Sequence, residues 1–410
     1  MNSAEAQQLK KNYFWNTLGS LMTSLSSVLL LIVVTRTLGA ELGGIFSLAF
    51  AVGQQYQILG AFEMRPYQAT DIKGRFRFGT YLGSRYITCL AMLLAICCYA
   101  LWTYGISYEA GLAFSIAGLR FFDAAEDVFH GMFQQKGRLD IAGRALFLRS
   151  LTSTVTFTVV LIVTRNLLAT CTITALFSLI ALVWLNIPAA RSFGSIRPSF
   201  ALKPLGLLFA ACLPLFLGSF LQSDLINVPR YGIAEMLSNT DQTVYAIIYM
   251  PALVINLLVG FVFKPLLTSL AEMLELRKLN EFIRLLLKCV AIIAGVSIAG
   301  ELTAYLIDIP ILSLLYGVNL DAYLSALLVI ILGGAFNALS VILYYSLVTM
   351  RAQILVVICY LGADVFAHAV SGWLIPSYQL MGAVMTYDLS MALLCIMFLV
   401  SFFYSFKKQK

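Results

Sequence analysis

Apolar runs long enough to cross a bilayer recur along this chain from residue 13 to residue 404, and they constrain everything else about its fold. A helix needs about 20 apolar residues to span the hydrocarbon core. Stretches such as 18–35 and 87–101 are continuous, whereas a barrel strand shows alternation over about ten residues. Lipid offers no partner for unpaired backbone groups, so the helix is the remaining solution. Charged residues make up only 11% of the 410 and hydrophobic residues 60%, against about 25% charged in a soluble domain. The shortage covers the whole length and leaves no room for a sizeable soluble domain. The expected fold is an all-α integral membrane protein with about twelve transmembrane helices. The spans are placed at 13–35, 42–62, 80–101, 110–133, 145–164, 167–187, 205–228, 241–263, 285–308, 322–348, 352–374 and 378–404. The first stretch is too long for a cleavable signal and has no small-residue cleavage site after it, so it reads as the first span.

The net charge of +7 belongs to membrane orientation rather than to nucleic acid, because the basic residues cluster in short segments between spans. With both termini in the cytoplasm, all but four of the 27 basic residues fall on the inner side, the exceptions being Arg36, Arg165 and Arg230 outside and Arg120 within a span. That bias is the positive-inside rule at work, and it supports an even number of crossings. The eight cysteines lie in apolar spans without CxxC spacing, which indicates neither a disulfide framework nor a zinc site.

The basic, Pro/Ser/Gly-containing loop 189–204 (AARSFGSIRPSFALKP) divides the chain near its middle. The expected organisation is a first six-helix lobe at 1–188, a cytoplasmic linker at 189–204 and a second six-helix lobe at 205–410. The halves share a faint similarity: span one ends in Val33-Val34-Thr35-Arg36-Thr37-Leu38-Gly39 and span seven in Asn227-Val228-Pro229-Arg230-Tyr231-Gly232. Internal repeats of this kind are a common transporter plan.

Ionisable residues inside spans cost roughly 2.5–3.5 kcal/mol each on insertion scales and must pair, line water or serve a function. The densest group is Arg120, Asp123, Glu126, Asp127 and His130. At about 100° per residue these five share one stripe of a helix, and Gln134 joins them. Two readings stand side by side. Adjacent carboxylates suit proton or cation binding, while Arg120 with Asp123 at i,i+3 suits a structural ion-pair network. In the second half, Asp224, Glu301, Asp364 with His368, and Asp388 are intramembrane. Asp364 and Asp388, toward the middle of adjacent spans, are placed to share a cation, or to serve structure. Arg65 and Lys264 occupy equivalent inner ends of spans two and eight, each beside a proline, and suit phosphate binding or plain anchoring. Gln54, Gln55 and Gln57 make span two unusually polar and, with Tyr56, offer hydrogen bonds to sugar hydroxyls or to neighbouring helices. No GxxxxGK[ST] loop, HExxH or GxSxG motif is present, which argues against an ATP-driven pump or a hydrolase, and no metal site or cofactor is expected.

The opening NYFWNTLGSLMTSLSSVLLLIVVTRTLGAELGGIFSLAFAVG, the stretches MRPYQATDIKGRFRFGTYLGSRY and RFFDAAEDVFHGMFQQKGRLDIAGRALFLRS, and INVPRYGI and MPALVINLLVGFVFKPLLTSLAE in the second half resemble the multidrug/oligosaccharidyl-lipid/polysaccharide (MOP) superfamily, in its bacterial polysaccharide flippase branch (Wzx-like). The resemblance implies two pseudo-symmetric six-helix lobes of the MATE type, without the two additional C-terminal helices that many members carry. It implies a flippase that moves an undecaprenyl-diphosphate-linked oligosaccharide, a capsule, O-antigen or other surface-polysaccharide precursor, from the cytoplasmic to the outer leaflet of the bacterial inner membrane. On that reading Arg36, Arg65, Arg120, Arg230 and Lys264 meet the diphosphate, Gln54 and Gln57 the sugar, and Asp123, Glu126, Asp127, His130, Asp364 and Asp388 serve a coupling ion, Na⁺ or H⁺. A monomer is expected, in contact with membrane lipids and with polysaccharide polymerase machinery. A cation-coupled multidrug exporter of the same superfamily and a teichoic-acid flippase are the alternatives. A membrane-embedded glycosyltransferase would need a large outer loop bearing catalytic residues.

Overall fold

The computed structural model describes residues 3–71, 74–263, 273, 276 and 278–407, and all regular structure among them is helical. The first half contains α1 (Ser3–Leu38), α2 (Ala40–Ala61), α3 (Met64–Thr70), α4 (Phe78–Tyr104), α5 (Tyr108–Gly118), α6 (Phe121–Gln135), α7 (Leu139–Thr164) and α8 (Leu167–Arg191). The second begins with α9 (Leu202–Met236) and continues with α10 (Asn239–Ile248), α11 (Met250–Phe263), α12 (Leu279–Thr303), α13 (Ile309–Tyr316), α14 (Leu324–Thr349) and α15 (Gln353–Lys407). Among the described residues, eight helical segments are long and apolar enough to cross a membrane: α1, α4, α7, α8, α9, α12 running on into α13, α14 with the turn before it, and α15.

The remaining expected spans fall on helices that are either polar or broken. Span 42–62 is α2, which carries Gln54, Gln55 and Gln57. Span 110–133 is two helices that meet at Leu119-Arg120, where the Arg120 N–H bonds the Ala117 carbonyl at 3.1 Å in a tightened i→i+3 step. Span 241–263 is likewise divided at Tyr249 between α10 and α11. α10 opens with a reciprocal cap in which Ser238 Oγ accepts the Asp241 N–H and Asp241 accepts the Ser238 N–H, both at 3.1 Å. The stretch 145–187 is two helices: Arg165 turns left-handed (φ 50) after α7, and Asn166 Oδ1 accepts the Ala169 N–H at 3.0 Å to start α8.

The 55 residues of α15 are a hairpin of two helices. Gln379 leaves helical geometry (φ 53, ψ −130). Around it the chain packs on itself in antiparallel order: the Tyr360 ring meets Phe398 at 5.2 Å, Cys359 Sγ lies 3.3 Å from Ser401 Oγ, and Gly382 sits against the Leu374 backbone.

The chain forms two compact units, Met1–Phe220 and Leu221–Lys410. The boundary between these units falls inside α9, past the loop 189–204. The reason is local packing. Ser199 donates its N–H to the Gly79 carbonyl at 2.8 Å, and Leu208 and Cys212 at the start of α9 are buried against Phe76, Tyr81, Phe129 and Phe133. Within this first unit, α1 and α7 approach backbone to backbone at Gly19 and Gly143, where any Cβ would strike the facing helix, and Ser26 Oγ lies 2.7 Å from Thr154 Oγ1. Small residues and hydroxyl contacts are how helices associate when lipid removes the hydrophobic drive.

A tight turn after α3 sets the entry to α4. The Asp71 carboxylate accepts the Arg75 N–H at 2.8 Å, the Phe76 N–H at 3.0 Å and the Tyr81 hydroxyl at 3.1 Å. Burial pushes this carboxyl up, but the Phe76 and Arg75 N–H groups, the Tyr81 hydroxyl and the Arg75 charge more than offset it and hold it below the usual carboxylate range. A depressed pKa in the fold is stability that is present above the unfolded carboxylate pKa and lost as pH falls through the folded one. Asp71→Asn is expected to cost about 1–3 kcal/mol near neutral pH and little in acid. The thermal midpoint of detergent-solubilised protein against pH reads this out, and a midpoint unchanged at neutral pH would disprove it.

Candidate functional site

Arg120 stands at the α5–α6 break, and α6 carries the rest of the polar stripe. Arg120 donates from Nη1 to Asp123 Oδ2 at 2.8 Å and from Nη2 to Ser27 Oγ on α1 at 3.1 Å, with its guanidinium 4.1 Å over the Phe50 ring of α2. Two further arginines close on the stripe from neighbouring helices. Arg149 on α7 donates to both Asp123 and Glu126, the latter at 2.6 Å. Arg85 on α4 donates to Asp127 at 2.9 Å and to the Gly60 carbonyl. Arg65, on α3, lies 3.6 Å from Asp127 and donates Nε–H to Gln134 at 3.1 Å. His130 Nε2 is 3.9 Å from Glu126, beyond hydrogen-bond reach.

The result is two ion clusters, one of Arg120 and Arg149 with Asp123 and Glu126, the other of Arg65 and Arg85 with Asp127. Their formal charges sum to zero and +1. Asp123 is shared by two arginines, so the Arg120–Asp123 pair expected from i,i+3 spacing is one arm of a larger structure. A cavity of about 410 Å³ within the first unit is lined by Arg65, Arg120, Asp123, Glu126, Asp127 and His130, and also by Gln54, Gln57 and serines of α1. Its walls offer guanidinium donors, amides and hydroxyls alongside three carboxylates that accept from guanidinium groups.

The structure thus brings together Gln54, Gln57, Arg65, Arg120, Asp123, Glu126, Asp127 and His130. It does not bring Arg36 or Arg230 to this cavity. Arg36 is exposed at the end of α1, and Arg230 lies in the second unit, 5.4 Å from the Tyr249 ring and 6.0 Å from that of Tyr245. Lys264 lies outside the described residues. Arg85 and Arg149 were assigned by charge counting to inner-end anchoring, yet they are 3% and 4% exposed and hold the stripe together. Each falls within an expected span, but nothing in the sequence links it to the acids it meets.

In the second unit Asp364 is gathered with Asp224 and His368, whose ligand atoms lie within 4.8 Å of one another. His368 Nε2 is 3.0 Å from Asp224 Oδ2. Asp388, expected to share a cation with Asp364, is not in this group.

No protein-family model matches the sequence, and no curated protein is significantly similar to it. Solved structures do match over nearly the whole chain. The lipid II flippase MurJ in an inward closed conformation matches with a TM-score of 0.72 at 12% identity, over 96% of this chain and 90% of that one. An inward-facing multidrug resistance MATE family transporter of the MOP superfamily matches at 0.62 and 15% identity, over 100% and 95%. The chain has the fold of MOP superfamily transporters. A further MOP transporter, from Pyrococcus furiosus and described as having a binding pocket of reversed polarity, matches at 0.58 and 14% identity, over 99% and 96%. At these identities the likeness is one of fold alone.

Proposed function

We propose that this chain is a twelve-crossing flippase that moves an undecaprenyl-diphosphate-linked oligosaccharide, a surface-polysaccharide precursor, to the outer leaflet by alternating access. The observation that carries the reading is a polar cavity among otherwise apolar helices, in which Arg65 and Arg120 stand beside Gln54, Gln57 and the serines of α1. A diphosphate cannot cross hydrocarbon without replacing its hydration, and guanidinium groups are the strongest replacement available. Twelve crossings are supported by the eight apolar segments, the antiparallel halves of α15, and the three expected spans that fall on α2, α5–α6 and α10–α11. The division of the chain into two compact units supports a two-lobed organisation.

Coupling to a proton or Na⁺ is assigned to Asp364 with Asp224 and His368, because the carboxylates of the first unit already face arginines. The inner membrane, with both termini cytoplasmic, follows from the basic bias of the expected inner segments.

A cation-coupled multidrug exporter is the second reading. It is favoured by the matched structures, several of which are multidrug resistance transporters in inward- and outward-facing conformations. The two readings part in cells depleted of the protein. The first expects complete diphosphate-linked oligosaccharide to accumulate in the cytoplasmic leaflet, read by mass spectrometry of the lipid-linked glycan pool. An unchanged pool together with increased retention of cationic dyes would overturn it in favour of the second.

A further inference from the structure

A second cavity of the first unit, about 550 Å³, lies away from the two ion clusters, at the end where α1 and α7 begin and α8 finishes. Its cations are Lys11, Arg138 and Arg144, and its aromatics are Trp15 and Trp184. Arg138 is already engaged, donating to both oxygens of Asp140 at 2.9 and 3.0 Å. Asp140 is further held by Gln8 at 2.8 Å and by its own N–H on Asn12 at 2.9 Å. Among the described residues Lys11 and Arg144 form no ion pair; both are exposed, and the Arg144 guanidinium lies 5.8 Å from the Trp15 ring. The cavity therefore presents two positive charges that form no ion pair among the described residues.

The aromatics fix its depth. Trp184 is 76% exposed, and Tyr13 and Phe14 on α1 are similarly bare. Exposed Trp and Tyr at the end of an apolar helix mark the headgroup level of a bilayer. From this level toward the centre of the unit, α7 exposes Leu151, Val155 and Val159 while α8 exposes Val183, Ile180 and Leu176. These are surfaces for acyl chains. Basic pockets between helices at the inner interface are the setting in which anionic headgroups bind.

We propose that this cavity is a binding site for an anionic glycerophospholipid. Lys11 and Arg144 receive its phosphate, the Trp15 and Trp184 indoles flank the headgroup, and its acyl chains run along α7 and α8. The occupant is a resident lipid of the inner leaflet, distinct from any transported molecule, and it ties α1 to α7 and α8 at their polar ends.

The test uses the full-length protein in nanodiscs of phosphatidylcholine with increasing phosphatidylglycerol. Wild-type protein is expected to bind brominated phosphatidylglycerol in preference to brominated phosphatidylcholine, read as quenching of tryptophan fluorescence. Lys11→Gln and Arg144→Gln are each expected to weaken that preference about fivefold, and the double variant about 30-fold. The protein's thermal midpoint in pure phosphatidylcholine should stay unchanged, since neither residue is paired. If the double variant does not fold, the single variants and a salt titration of the wild type carry the same comparison, because a surface phosphate contact weakens with ionic strength. Inorganic phosphate is expected not to compete. Equal quenching by both lipids, an unchanged preference in the variants, or displacement by millimolar phosphate would each overturn the proposal.

Discussion

Arg149→Met is expected to lower the folding stability of the protein by about 3–5 kcal/mol, the largest structural effect of any single substitution in the two ion clusters. Arg149 is the only arginine that hydrogen-bonds Glu126 among the described residues, and it is the second partner of Asp123. Glu126 is almost completely buried, and the Asp123 side chain is 12% exposed. Removing the guanidinium leaves one charge without a partner and another with half of its coordination, in surroundings where water does not compensate. Methionine keeps the volume and the helix propensity, so the loss reports charge rather than packing. The expected fall in thermal midpoint is about 4–6 °C, read by scanning fluorimetry in mild detergent with the folded yield from size exclusion. Adding Glu126→Gln to Arg149→Met should recover a large part of it, because Asp123 keeps Arg120 as its partner and no unpaired charge remains. A single variant as stable as the wild type would show that this cluster does not hold the first unit together.

The Arg120–Asp123 pair makes the same point from the other side. Sequence spacing treats it as private, so that neutralising both partners would be milder than neutralising one. Because Asp123 also accepts from Arg149, the double change strips one of the two acceptors that Arg149 holds, and the advantage of removing the pair together shrinks.

How much of this was legible depended on how far apart the interacting groups lie in the chain. The helical membrane fold follows from continuous apolar runs, a property of each segment alone, and those runs coincide with helices such as α4, α7 and α8. The polar stripe Arg120, Asp123, Glu126, Asp127 and His130 is also local, since one helix period aligns it, and its members do line one cavity. Its partners were not legible. Arg85 is 42 residues from Asp127 and Arg149 is 23 from Glu126, and no periodicity links positions on different helices. The positive-inside rule supplied a sufficient explanation for both arginines, which hid their pairing. The extent of the first compact unit was not legible for a related reason. A Pro- and Ser-containing stretch reads as a linker from composition, whereas the Ser199–Gly79 hydrogen bond and the burial of Leu208 and Cys212 bind it to the first unit. The break at Leu119-Arg120 was equally silent, because the hydropathy of 110–133 does not register a change of helix direction.

Arg65→Gln is the substitution expected to damage transport most while sparing the fold. Its side chain is 28% exposed and only 3.6 Å from Asp127, and that carboxylate keeps its shorter contact with Arg85 at 2.9 Å. A partly exposed pair of this geometry contributes at most about 1 kcal/mol to stability, so the thermal midpoint should barely move. The guanidinium nonetheless lines the cavity beside Arg120, Gln54 and Gln57. There, losing one charge-assisted bond to a diphosphate is worth about 1.5–3 kcal/mol, or about 10- to 150-fold in affinity. Lysine at this position retains the charge but not the planar fork that matches phosphate oxygens, so Arg65→Lys should fall between glutamine and wild type. The measurement is translocation of a diphosphate-linked oligosaccharide lipid by protein reconstituted in vesicles, with cationic dye transport followed in parallel. Under the exporter reading, removing a positive charge from the cavity leaves dye transport unchanged or raises it. Glutamine that abolishes dye transport while sparing the lipid-linked sugar would contradict both the assignment of Arg65 and the anionic substrate inferred from it.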